Sequence, residues 1–143
     1  MSAQLQNSLG TLIDLRTREL EKCQAELAAR KSLCARVETN IERLGQLMES
    51  VSTDASVSTA LAINTSAYKQ SMLELVEAQR HELVHRQAEA AQAQLALNDA
   101  ARQQEVLAQL LKQTRARALL TRSRQAQKVQ DDLATQVWMR KST

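Results

Sequence analysis

From Leu9 the apolar residues of this chain step alternately by four and by three positions. The series is Leu9, Ile13, Leu20, Cys23, Leu27, Cys34, Val37, Ile41, Leu44, Met48 and Val51, with Arg16 and Arg30 as its two charged members. A strand would alternate every second residue, whereas a four-three repeat returns to one stripe of a helix. Sustained over this length it specifies a coiled-coil helix, predicted over about residues 4–51. Gly45 lies off the stripe and weakens the helix locally without interrupting the pattern.

Between Ser50 and Ser66 the repeat fails. The run from Ser50 to Thr59 is dense in Ser, Thr and Asp, whose side chains compete for backbone hydrogen bonds and favour caps and turns. A reversal is predicted over about 52–66, with a helical turn around Ala60–Ile63 and a cap from Asn64, Thr65 or Ser66. The repeat then resumes through Met72, Val76, Leu83, Ala90, Ala93, Leu97, Ala100, Leu107 and Leu111, interrupted by Gln79, Arg86 and Gln104. This gives a second helix over about 67–140. Past Leu111 the phase slips: Leu119, Ala126, Val129, Leu133 and Val137 follow after an eight-residue step in place of seven.

Two such helices joined by a short reversal form an antiparallel hairpin. The fold class expected is all-α: one coiled-coil hairpin domain over 1–143, its second helix longer. If Val51 lies near Ala67, facing positions have numbers that sum to about 118. Arg30 then falls beside Glu89, and Arg16 between Asp99 and Glu105, so that seam arginines meet carboxylates across the gap. The first helix ends opposite Thr114. Residues from Arg115 to Thr143 have no facing helix, an overhang of roughly 40 Å if helical. A lone hairpin buries little, so a partner or a second copy is expected to cover it.

Composition agrees with the pattern and excludes much else. There is no Pro or Phe, one Trp, one Tyr and two Gly, with 43% hydrophobic and 24% charged residues. Globular β and α/β domains need turn formers and aromatic bulk that this chain lacks. No run of about 18 apolar residues is present to span a bilayer. Met1–Gly10 has neither the basic residue nor the apolar run of a secretory leader. Cys23 and Cys34 are eleven residues apart, too far along one helix to be bridged, and read as seam-filling thiols in a reducing compartment.

Three constellations carry candidate chemistry. His81-Glu82-Leu83-Val84-His85 matches H-E-x-x-H, which in zinc peptidases places two His ligands and a general base on one helix. A continuous helix to Glu105, the candidate third ligand, would hold it about 30 Å from His85, so rim residues of a coiled coil are the reading taken. No metal, cofactor or catalytic residue is assigned. Second, residues 67–143 carry twelve Lys and Arg against eight acids, whereas 1–66 carry seven against eight. Between Glu105 and Asp131 there are only bases: Lys112, Arg115, Arg117, Arg122, Arg124 and Lys128. With no interleaved aromatics to stack bases, an acidic protein surface fits this block better than nucleic acid. Third, Tyr68 stands by the reversal and Trp138 on the overhang, each a candidate contact anchor.

The hairpin plan, the stretch Asn64-Thr65-Ser66-Ala67-Tyr68-Lys69-Gln70 at the start of helix two, and the ending Met139-Arg140-Lys141 together resemble the FliJ family of the flagellar type III export apparatus. Injectisome stalk proteins are similar in plan. The resemblance covers nearly the whole chain, which has Leu47 and Val51 where the family commonly has tyrosines. It implies a non-enzymatic, cytoplasmic stalk at the cytoplasmic face of the export apparatus. Its termini would enter the hexameric export ATPase, its tip would reach an FlhA-like export gate protein, and export chaperones would be further partners. Carried onto this sequence, the ATPase-ring contacts are Arg115, Arg117, Arg122, Arg124, Lys128, Trp138, Arg140 and Lys141. The gate contacts are Leu44, Leu47, Val51, Tyr68, Met72 and Leu75. Two other classes fit the residues: a generic dimerising coiled-coil scaffold, and a zinc peptidase acting through His81, Glu82 and His85.

Overall fold

The computed structural model describes residues 2–52 and 59–142. They form two helices, α1 (Ser2–Ser52) and α2 (Thr59–Lys141), and no strand is present among the described residues. The fold is an all-α, antiparallel two-helix hairpin. Part of the expected reversal, residues 53–58, lies outside the described residues. The remainder is a correction: α2 begins at Thr59, eight positions before the expected start, so Ala60–Ser66 are helical. The reason is local. Ala60, Leu61 and Ala62 are good helix formers, and the Thr65 hydroxyl donates to the Leu61 carbonyl at 2.7 Å. Hydroxyls that bond the carbonyl four residues back satisfy themselves inside a helix, as Thr11, Thr17, Thr39, Ser71, Thr114, Thr121 and Thr135 also do.

Packing divides the chain into a central unit, Glu21–Asp99, and a terminal unit of Met1–Leu20 with Ala100–Thr143. In the central unit the four-three stripe is the buried one. Leu27, Val37, Met72 and Val76 are buried, while Cys23, Cys34, Ile41, Leu44, Leu83, Ala90, Ala93 and Leu97 are half-buried. Both cysteines are free thiols. Burial is shallow because each helix can cover only one face of the other. Each well-buried Leu or Met is therefore a large share of the apolar stabilisation. The register is set where Arg30 meets Glu89, positions whose numbers sum to 119.

In the terminal unit Leu9 is buried, and Ile13, Leu20, Ala100, Leu107 and Leu111 are half-buried. Gln104 Nε2 donates to the Thr17 hydroxyl at 2.9 Å, a polar layer across the seam. Arg16 departs from expectation. Its guanidinium bonds Glu19 on its own helix at 2.9 Å, and Glu105 instead accepts from Gln109 Nε2 at 3.0 Å. Carboxylates three residues along the same helix are reached without spanning the gap. The overhang also begins later than expected. α1 starts at Ser2, and burial on α2 continues in phase through Thr114 and Ala118. The phase slip thus falls where the facing helix ends, and Arg115 lines a shallow groove with Gln6, Ala118, Leu119 and Arg122.

Candidate partner-binding surfaces

Beyond Ala118, α2 continues to Lys141 with every described residue from Leu119 to Ser142 exposed. Leu119, Val129, Leu133 and Val137 are exposed, and Trp138 is 70% exposed. Arg122, Arg124 and Lys128 lie among them, and Arg115 and Arg117 just before, also exposed. At the C-terminal end Arg140 and Lys141 occupy the last turn, where positive charge offsets the negative end of the helix dipole. Leu119, Ala126, Val129 and Leu133 recur at helical spacing and form one stripe, offset by one position from the seam that ends at Ala118. One position is about 100° around a helix. The stripe therefore faces a different direction around α2 from the side that α1 covers.

At the other end of α2, the residues named for the export gate separate by burial. Met72 is 7% exposed and Leu44 and Val51 are half-buried, so these three are held between the helices. Leu47, Tyr68 and Leu75 are exposed. Leu44 and Leu75 share a groove with Asn40, Arg43 and Gln79. Leu61, Ile63 and Leu73 add exposed apolar surface that the sequence reading missed. Leu61 and Ile63 fall within the reversal that the pattern predicts, where no helix face can be assigned. The Ala60-Leu61-Ala62 run was the available signal.

Within the central unit, charges cluster around Glu89. Its Oε2 accepts from Arg30 Nη1 at 2.8 Å and from Arg86 Nη1 at 3.3 Å, and its Oε1 lies 3.1 Å from His85 Nε2. Desolvation is the largest single influence on the Glu89 carboxyl and pushes its pKa up. Attraction to Arg30, His85 and Arg86, with the Arg86 hydrogen bond, outweighs it and holds the group below its ordinary value. Arg86 is raised, first by its hydrogen bond to Glu82 and the charge of Glu82, against an opposing desolvation and with help from Glu89. Two of the H-E-x-x-H residues are thus engaged by neighbours one turn along the helix: Glu82 pairs with Arg86 at 2.9 Å, and His85 Nε2 lies 3.1 Å from Glu89 Oε1. His81 is exposed. Among the described residues no group of three or more His, Cys, Asp or Glu is arranged to hold a metal ion.

These surfaces have the chemistry of protein docking: exposed apolar stripes flanked by arginine and lysine, on a scaffold with a thin core. Among the described residues no helix is long and apolar enough to cross a membrane. No curated protein and no solved structure matches the chain. The family described as flagellar FliJ protein matches residues 5–143, nearly its full length. The chain therefore belongs to the FliJ family, and as such is a component of the flagellar protein-export apparatus.

Proposed function

We propose that this chain is the non-enzymatic central stalk of the type III export ATPase ring, linking the ATPase to the export gate. In this reading residues 1–143 act as one hairpin domain in the cytoplasm, at the cytoplasmic face of the apparatus, and reach the membrane only through partners. The observation that carries it is the fully exposed, basic and apolar end of α2 from Leu119 to Ser142. A helix that presents Leu119, Val129, Leu133 and Trp138 to solvent gains by inserting them into another protein.

The hexameric ATPase would take Arg115, Arg117, Arg122, Arg124, Lys128, Trp138, Arg140 and Lys141. At the tip, Leu47, Tyr68 and Leu75 would meet an FlhA-like gate protein, with Leu44, Val51 and Met72 holding them from behind. Export chaperones would be further partners. The chain would act on ATP hydrolysis by raising a partner's rate. The test is the ATPase activity of the cognate export ATPase with the full chain and with a form ending at Thr114. The full chain is expected to bind and stimulate, and the shortened form to do neither. Equal stimulation by both would remove the overhang from the mechanism, and absence of binding by the full chain would defeat the stalk reading.

A further inference from the structure

On one side of the terminal unit the two helices leave an open groove lined by Leu12 and Arg16 of α1 and by Arg102, Gln103, Val106 and Leu107 of α2. Leu12 is 38% exposed and Val106 65%. Helical spacing extends the same faces. Leu5 lies seven residues before Leu12 and Leu15 three after it, Leu110 lies four after Val106, and all three are exposed. Isolated exposed leucines are ordinary, but apolar side chains converging on one groove from two helices form a patch. Its shape is that of a seat for a third helix, whose anchors recur at i, i+3, i+4 and i+7.

The charge around the groove decides what that helix is. No carboxylate is among the groove's described lining residues, which include two guanidinium groups. Arg16 is partly neutralised by Glu19, and Arg102 stands exposed on the rim. Most of the terminal unit's positive charge lies beyond Thr114; alongside the groove, residues 1–20 and 100–114 carry Arg16, Arg18, Arg102 and Lys112 against Asp14, Glu19 and Glu105, a net +1. A second copy seated face to face here would bring its own Arg102 and Arg16 against these same two guanidinium groups, with no carboxylate in the described lining to receive them. Like charges across an interface are costly, and opposite ones steer and fix the encounter. We propose that this groove is the docking site for an acidic amphipathic helix of a partner protein, with Leu12 and Val106 as its apolar walls and Arg102 as its charge anchor. The span from Leu5 to Leu15 is roughly 15 Å, so the seated segment is about three turns long. The proposal does not rest on the stalk reading, whose ATPase contacts lie on the overhang.

The probe is a designed peptide of about 18 residues, enough for five helical turns. It carries Leu at the anchor spacing and Glu at the positions flanking the Leu stripe, within reach of the groove rim, and a twin carries Lys in place of Glu. Binding to the full chain is followed by fluorescence anisotropy, with circular dichroism and melting as controls for folding. The Glu peptide is expected to bind saturably in the range of tens of micromolar, about −6 kcal/mol. The Lys twin should bind at least about tenfold more weakly, and V106E and R102E should each weaken the Glu peptide by about tenfold, close to 1.4 kcal/mol. Leu133→Glu on the overhang should bind like the parent chain. Equal binding of the two peptides, parent-like binding by V106E and R102E, or loss in L133E alone would overturn the assignment. So would absence of saturation up to about 1 mM. A dimer in sedimentation that V106E dissolves would assign the groove to a second copy instead and overturn it equally.

Discussion

The Arg30 guanidinium meets the Glu89 carboxylate at 2.8 Å, from positions fifty-nine residues apart in the chain. Both side chains keep contact with water, with Glu89 27% exposed, so the pair is worth more as a register mark than as a source of stability. A shift of one heptad would part the two charges. With Cys23 and Cys34 replaced by Ala, Arg30→Cys with Glu89→Cys should give an intramolecular product with a short thiol crosslinker. Arg30→Cys with Glu82→Cys, about 10 Å further along α2, should give little. Equal yields would show that the register is not fixed.

Glu89 also sets a pH dependence. Its native pKa lies below the ordinary 4.5, because the positive charges of Arg30, His85 and Arg86 outweigh the cost of desolvation. A depressed carboxylate stabilises the fold above its unfolded pKa, and that contribution is lost as pH falls through the native value. Glu89→Gln should therefore melt below the parent at neutral pH, and the gap between them should close as the pH drops below 4.5. A gap that stays constant down to the acid transition would contradict this assignment.

Neither glycine is needed for its backbone. No glycine has a positive φ, and a Cβ placed on Gly10 or Gly45 meets nothing within 4 Å. Both sit inside α1, where Gly costs up to about 1 kcal/mol relative to Ala. Gly10→Ala and Gly45→Ala should each raise stability by about 0.5–1 kcal/mol in urea unfolding. A loss in either variant would point to a close neighbour at that position.

Core and surface should separate cleanly in mutation. Leu27 is buried, and Leu27→Ala should cost about 2–3 kcal/mol, near the low end for such truncations because the seam is open to water on both sides. Tyr68 is exposed, and Tyr68→Ala should change unfolding by less than about 0.5 kcal/mol. Under the proposed stalk function, Tyr68→Ala is expected to weaken binding to an FlhA-like gate protein at unchanged stability.

The seam was legible because it is periodic. Leu9, Leu27, Val37, Met72 and Val76, the buried residues among those described, all belong to the four-three series. Arg30 and Glu89 followed from the same register. The start of α2 was not legible, because Thr and Ser are read as turn formers until the carbonyl that receives each hydroxyl is known, as for Thr65 and Leu61. Arg16 failed for a related reason. Spacing offers it carboxylates on both helices, and only geometry selects Glu19. At the tip, the family resemblance names Met72 and Leu75 alike as contacts, whereas burial assigns the first to the core and leaves the second on the surface. The groove between Leu12 and Val106 was invisible in the sequence, since it is built by two residues that belong to neither seam.

The one-position offset between Ala118 and Leu119 works as a vernier on insertion and deletion. Removing Ala118 alone would bring Leu119, Ala126, Val129 and Leu133 into line with Leu107 and Leu111. The chain would then carry one continuous apolar stripe, interrupted only by Thr114 and Arg122, long enough to zip with copies of itself. Loss of one codon there, with every other side chain kept, would exchange a helix that presents two separate faces for one prone to polymerise.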